Sequence, residues 1–311
     1  MHVHSPGGDA ARTSRVLKFS MIATGVYIAA LIVAGLRAHS LALLSEAGHN
    51  LSDFLALILS WVAVYIAARP PSARRTYGYQ RAGVLAAFIN ALSLVAISFY
   101  IFYEAARRLY QPADVHPGLM MWAAGAGVMM NALIAFFVYR TGGDVNLRSV
   151  VLHEIGDTVS TAAVLVGGFF IAESGRNWID PALSFGIGAL ILWSSFGIIR
   201  ETLNILLEGT PRGMDLARIE ATIRSVAGVN DVHDLHVWSL GSESHALSCH
   251  IAIADIPTSA SEGILRAVKE ALHAQFGIDH TTIQFENVVC DVAHGCVVPV
   301  REVEGAPGHT H

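Results

Sequence analysis

The stretch LLSEAGHNLSDFLALIL, residues 43–59, and its counterpart VVLHEIGDTVSTAAVL, residues 150–165, decide how this chain is read. Both are apolar runs broken by one polar pattern, a histidine followed four residues later by an aspartate: His49 with Asp53, and His153 with Asp157. On an α-helix, positions i and i+4 lie one turn apart on a single face, so each pair offers an imidazole and a carboxylate in one direction. Two such helices facing each other supply two nitrogens and two oxygens, the tetrahedral set that zinc accepts at about 2.0–2.2 Å. Two aspartates also neutralise a divalent ion in a medium where one ionisable group costs on the order of 2.5–3.5 kcal/mol. A lone histidine in a span is explained by a hydrogen bond to a neighbouring helix. The duplicated pair is not.

Outward from these two runs, six apolar stretches of roughly the 20 residues that a membrane helix needs fall at 15–37, 41–68, 82–108, 118–140, 149–172 and 179–200. The composition agrees: 53% of the 311 residues are hydrophobic and 14% charged, against about 25% charged in soluble domains. The formal charge of −5 gives no sign of a nucleic-acid partner. Three cysteines, Cys249, Cys290 and Cys296, are too few for a disulfide framework, and no cleavable signal sequence is expected before the first span. Short breaker-rich connections separate the spans: ARPPSARR, YQPADVHPG and RTGGDVN. Nine loop Lys and Arg residues (Arg12, Arg15, Lys18, Arg69, Arg74, Arg75, Arg81, Arg140, Arg148) fall on one side and four (Arg37, Arg107, Arg108, Arg176) on the other. By the positive-inside rule the first side, with both termini, is cytoplasmic.

After residue 208 the pattern changes. MDLARIEATIRSVA and SEGILRAVKEALHAQF have helical periodicity, while VNDVHDLHVWSL, HALSCHIAIA and HTTIQFEN alternate as strands. The order αββαβ suits a small sheet covered by two helices on one face. The expected organisation is a cytoplasmic segment at 1–14, an all-α six-helix transmembrane bundle at 15–208, a small α+β cytoplasmic domain at 209–288 and a flexible tail at 289–311. Within the bundle, Glu46 and Asn50 share the ligand-bearing region of the second span, as partners that orient the ligands or as lining of an access path. Asn90 and Asn131 read as interhelical hydrogen bonders. The glycine pairs Gly125/Gly127, Gly167/Gly168 and Gly186/Gly188 read as close-packing points, and Asp180–Pro181 as the cap and first turn of the sixth helix.

These motifs resemble the cation diffusion facilitator family, particularly its zinc, cobalt and cadmium efflux members, over nearly the whole chain. The matching text is SLALLSEAGHNLSD, RTYGYQRAGVLAAFINAL, HEIGDTVS, WIDPALS, LLEGTP, HDLHVWSL and TIQFE. The resemblance implies a homodimer in a plasma or bacterial inner membrane, exchanging metal for protons, with Zn²⁺ the preferred cargo at His49, Asp53, His153 and Asp157. It also implies zinc held in the cytoplasmic domain, for which His233, His250, His280 and Glu286 are the candidates; capping and surface roles stay open for each. The chain departs from the family pattern at Glu46, where aspartate is commoner, and at Gly83, where glutamate often stands. A third candidate group is Cys290, His294 and Cys296 in the tail, spaced C-x₃-H-x-C, which would share an ion with His2 and His4 and deliver it to the membrane site. The alternative is a mobile tail that happens to hold them.

Metal binding needs neutral imidazoles and ionised carboxylates, so protons and metal compete for one site, and free imidazole titrates near pH 6.5, within the physiological range. Two other readings remain open on residues alone. HEIGD begins like the HExxH of a zinc hydrolase, with Glu154 as general base, although Asp157 replaces the second histidine. A membrane-anchored metal sensor would need the soluble domain and no transport.

Overall fold

The computed structural model describes residues 22, 24–67, 69–140, 145–241 and 244–287; at 60, 64, 67, 137–140 and 145–153 it describes the course of the helix and not the side chain. The chain divides into two compact units, Met1–Leu203 and Asn204–His311.

The first unit is built of α1 (Thr24–Ala38), α2 (Leu41–Ala67), α3 (Ala82–Tyr110), α4 (Pro117–Arg140), α5 (Val145–Ser174) and α6 (Ile179–Leu206). The five later stretches fall on α2 to α6 to within six residues; the first overlaps α1, and its residues 15–21 and 23 lie outside the described residues. Among the described residues, four helices are long and apolar enough to cross a membrane: Ala82–Tyr110, Pro117–Phe136, Glu154–Ser174 and Ile179–Leu206. The 27 residues of α2 reach about 40 Å at 1.5 Å per residue. Large apolar side chains point outward, with Phe99, Tyr103, Trp122, Phe170, Trp193 and Phe196 all exposed. A water-soluble protein would bury such a surface; a lipid-facing one need not. The interior is closed by Leu31, Leu43, Met120, Val164, Ile187 and Ile191.

Close packing relies on some of the expected glycines and not others. A Cβ at Gly127 would run into the Tyr27 hydroxyl and the Thr161 methyl, and one at Gly188 into Phe102 and Ile101. Gly167 and Gly168 are similarly crowded by Leu183 and Met121, whereas Gly125 and Gly186 have room for a side chain. The latter two are not packing points.

Asp180 does something the sequence reading did not assign. It lies within the first turn of α6 and is fully buried, yet its carboxylate serves the start of α2. Ser40 Oγ donates to Oδ1 at 2.5 Å, the Leu41 N–H to Oδ2 at 2.7 Å and the Ala42 N–H to Oδ1 at 3.2 Å. Ser40 Oγ in turn accepts from the Leu43 N–H at 3.2 Å. The amides at a helix start have no partner within the helix and carry partial positive charge, which a carboxylate satisfies and neutralises. Arg108 of α3 stands 3.7 Å from Asp180 and donates to the His39 carbonyl at 2.5 Å, and Glu104 holds both Arg107 and Arg108. One charged network therefore pins the ends of α2, α3 and α6 together.

The second unit has the expected order: α7 (Leu216–Arg224), β1 (Val229–Ser239), β2 (His245–Ile253), α8 (Thr258–Phe276) and β3 (Ile278–Glu286). The sheet order is β1-β2-β3, with β1–β2 antiparallel and β2–β3 parallel. A hairpin suffices for the first pair, whereas a parallel pair needs a crossover, and α8 provides it. Asp215 caps α7 by accepting from the Ala217 N–H at 3.0 Å. Gly277 ends α8 in the left-handed conformation at φ 63, where glycine carries no Cβ penalty. Ile219, Ile223, Leu247, Ile251, Val268, Leu272 and Ile278 form the core, with Cys249 among them.

Replacing Asp180 by alanine should lower the unfolding free energy by about 2–4 kcal/mol, because several buried donors and Arg108 lose their acceptor together. The melting midpoint of detergent-purified protein reads this directly, and an unchanged midpoint would contradict the capping role. Cys249, buried in the sheet core, should resist a thiol reagent in native protein at neutral pH and react on unfolding.

Candidate metal centres

Two clusters of metal-ligating side chains form among the described residues. In each, one potential ligand atom per residue lies within 4.8 Å of the others: His49, Asp53 and Asp157 in the first unit, and His233, His250 and Glu286 in the second.

The first cluster arises where α2 and α5 meet. His49 Nε2 lies 3.1 Å from Asp157 Oδ1 across the helices and 3.6 Å from Asp53 Oδ2 one turn along its own helix. Donor atoms about 2.1 Å from a tetrahedral ion are about 3.4 Å from one another, so both separations are near what one shared ion requires. His153 falls on α5 four residues before Asp157; its side chain lies outside the described residues. A cavity of about 570 Å³ reaches the cluster, lined by Asn50, Asp53, Leu57, Asn131, Glu154 and Asp157, among others. It extends toward the C-terminal half of α2. On the opposite side Leu43, Glu46, Thr161 and Val164 are fully buried.

The polar neighbours sort differently from expectation. Asn90 Nδ2 donates to Ser52 Oγ at 3.0 Å, joining α3 to α2, whereas Asn131 lines the cavity instead. Asn50 donates to the carbonyl of Glu46 at 2.9 Å and also lines the cavity. Glu46 is held by two hydroxyls of α5, Ser160 and Thr161. The sequence reading passed over these two. Their positions three and four residues after Asp157, on the same helix face, were the available signal.

The second cluster depends on strand register. His233 on β1 pairs directly with His250 on β2, and Glu286 on β3 pairs with Ala252, two residues along β2. His233 Nε2 lies 3.1 Å and His250 Nδ1 3.0 Å from the two oxygens of Glu286. A bulge follows His233, and Asp234 within it takes φ 53. Its carboxylate is 2.8 Å from His236 and 3.5 Å from His250, while Asp231 is 3.8 Å from His233. Carboxylates on the far nitrogens of ligating histidines fix the tautomer and ring orientation.

His280 does not join this cluster. It sits on β3 opposite Ala246, six residues before Glu286, and at about 3.3 Å per residue that is about 20 Å along the strand. His236 is an exposed partner of Asp234, and with Trp238 it lines a separate cavity of about 320 Å³. Burial, helped by the Asp234 carboxylate, pushes the Cys249 thiol up to about 12, and its place in the sheet core leaves it outside the ligand cluster. Cys290, His294, Cys296, His2 and His4 lie outside the described residues.

Comparison with known proteins gives a consistent result. A family model described as "Cation efflux transmembrane domain" matches residues 17–207, and one described as "Cation efflux protein, cytoplasmic domain" matches residues 211–288. The chain is 37% identical to the "Cadmium, cobalt and zinc/H(+)-K(+) antiporter" of Bacillus velezensis, over 92% of this chain and 91% of that protein. It is 36% identical to the "Metal cation efflux system protein CzcD" of Cupriavidus metallidurans, over 94% and 92%. With the "Zinc transporter ZitB" of Escherichia coli the identity is 33%, over 99% and 96%. A solved structure titled "Metal-bound C-terminal domain of the CzcD transporter from Cuprividus metallidurans" is 38% identical to this chain, covering 24% of this chain and 99% of that one, with a TM-score of 0.22. A helical bundle with apolar outward faces, an αββαβ domain following it in the chain and family matches across both make this chain a multi-pass integral membrane protein and a member of the cation diffusion facilitator family of transporters.

Proposed function

We propose that this chain exports a divalent metal ion, zinc foremost, in exchange for protons, through a tetrahedral site formed by His49 and Asp53 of α2 with His153 and Asp157 of α5. The observation that carries the reading is the approach of His49 to Asp157 across two helices, at 3.1 Å, with Asp53 at 3.6 Å. His153 is assigned as the fourth ligand from its place on α5, one turn from Asp157. The relatives' names, which specify zinc, cadmium and cobalt, agree with the imidazole and carboxylate donors.

The chemistry follows from the donors. A divalent ion cancels the charge of the two aspartates, and so do two protons taken up by the same cluster. The site therefore switches its exposure between the two faces close to neutral with either cargo, which makes exchange cheaper than switching with an empty, charged site. Protonation on the acidic face displaces the ion, and deprotonation on the other face allows reloading. Rocking of helices about a fixed midplane site provides alternate access. The cavity beside the C-terminal half of α2 is the approach in the conformation described. With the Arg-rich 69–81 connection and both termini on the cytoplasmic side, that approach faces the cytoplasm.

His233, His250 and Glu286 form a donor set suited to a zinc ion in the cytoplasmic domain, His280 excepted, with the Asp231 and Asp234 carboxylates 3.8 and 3.5 Å from the two histidines. Such an ion would tie the three strands together at one end and stabilise a homodimer built through this domain. The hydrolase and sensor readings have no observation in their favour beyond the HEIGD text and Glu154 in the cavity.

Asp157→Ala should abolish proton-driven zinc flux in proteoliposomes while the protein still elutes as a folded species; flux at the parental rate would refute the site. Zinc affinity should fall as pH is lowered, since protons occupy the donors the ion needs, and titration across acidic to neutral pH measures it. Glu286→Ala should remove one bound zinc per chain in equilibrium dialysis without abolishing flux; unchanged stoichiometry would count against the cytoplasmic site.

A further inference from the structure

Glu46 is 0% exposed, and its two carboxylate oxygens are taken by different hydroxyls of α5. Thr161 Oγ1 lies 2.5 Å from Oε1 and Ser160 Oγ 3.1 Å from Oε2. Glu46 precedes His49 by three residues, and Ser160 and Thr161 follow Asp157 by three and four. The carboxylate and its hydroxyls therefore form a layer one helical turn, about 5.4 Å, from the ligand layer. Glu46 itself lies outside the cluster of ligand atoms.

The packing around this layer explains why it is needed. α5 packs extensively on α4 and only sparsely on α2, so apolar contact does little to fix how α5 is rotated against α2. Successive residues of a helix point about 100° apart. Two successive hydroxyls reach the two oxygens of one carboxylate only over a narrow range of that rotation. Thr161 is constrained further: its Oγ1 lies 2.8 Å from the carbonyl oxygen of Asp157, and its methyl sits against Gly127 of α4, where the Tyr27 hydroxyl also approaches. Hydroxyl, ligand-bearing turn and neighbouring helices are thus locked as one piece. A buried carboxylate is costly unless its oxygens are filled, so the pairing does not slip to a partly satisfied arrangement.

We propose that Glu46 is a positioning residue of the transport site: by gripping Ser160 and Thr161 it sets α5 against α2 at the rotation that places Asp157 beside His49. The role rests on the reading of the His/Asp cluster as the transported-metal site. It also gives a reason why a longer glutamate, and not an aspartate, stands here, because the extra methylene reaches two hydroxyls on the facing helix.

The test is a kinetic one on the full-length chain in proteoliposomes, with Zn²⁺ and an imposed proton gradient. Glu46→Ala, and separately the pair Ser160→Ala with Thr161→Val, should each raise the half-saturating zinc concentration by about 10-fold or more, as loss of partners that orient ligands does. Combining all three should add little, because both changes remove the same contact. Glu46→Gln, whose amide oxygen still accepts one hydroxyl, should recover most of the affinity. If Glu46→Ala does not fold, the hydroxyl pair and Glu46→Gln carry the comparison alone. Asp157→Ala run in parallel separates the two levels. An inactive Asp157→Ala beside unchanged half-saturation in the hydroxyl pair, or fully additive effects, overturns the positioning role alone. An active Asp157→Ala overturns the site and the role together.

Discussion

Carboxylates inside an apolar bundle must have their oxygens hydrogen-bonded or their charge neutralised, and this requirement organises the membrane unit. Asp180 is answered permanently: a serine hydroxyl, two amides at the start of α2 and the Arg108 guanidinium surround it. Glu46 is answered by two hydroxyls of the facing helix. Asp53 and Asp157 are treated differently, for beside them stands an imidazole, a group whose charge is itself negotiable. Their compensation is left to whatever arrives, a metal ion or protons. In the function proposed, the fixed answers make the scaffold and the exchangeable one makes the transport site.

The three groups are ordered along the bundle. The Asp180 network fixes where α2 begins and ties it to α3 and α6. The Glu46 layer lies within the next two turns and orients α5, and the ligand layer follows one turn further on. The cavity opens beyond that, toward the other end of α2. Each rigid layer thus supports the next, while the last is reached by the cavity. The second unit assembles its cluster by other means. There the register of three strands brings His233, His250 and Glu286 together, and a bulge brings Asp234 within 3.5 Å of His250.

Much of this was legible in the sequence, for identifiable reasons. The six helices follow from unbroken apolar length, and the αββαβ order follows from changes of period between 3.6 and 2. His49, Asp53 and Asp157 followed from i, i+4 spacing repeated in two spans, a local pattern that needs no tertiary knowledge. Relations across elements were not available that way. Nothing local says that Asp180 caps a helix 140 residues earlier in the chain, or that Ser160 and Thr161 close on Glu46. His280 was included because it falls on a predicted strand or its edge, as the other candidates do; only the register reveals that it pairs at the far end from Glu286. Gly125 and Gly186 were included because glycine permits close packing, although it does not require it.

The central claim is that α2 and α5 together bind one transported ion between His49, Asp53, His153 and Asp157. The most direct measurement is an anomalous difference map, at the zinc edge, of the zinc-loaded chain. The account predicts a peak about 2.0–2.2 Å from His49 Nε2 and from carboxylate oxygens of Asp53 and Asp157, with the fourth position filled by His153. A map with zinc only at His233, His250 and Glu286, and none between α2 and α5 at saturating metal and neutral pH, would contradict it.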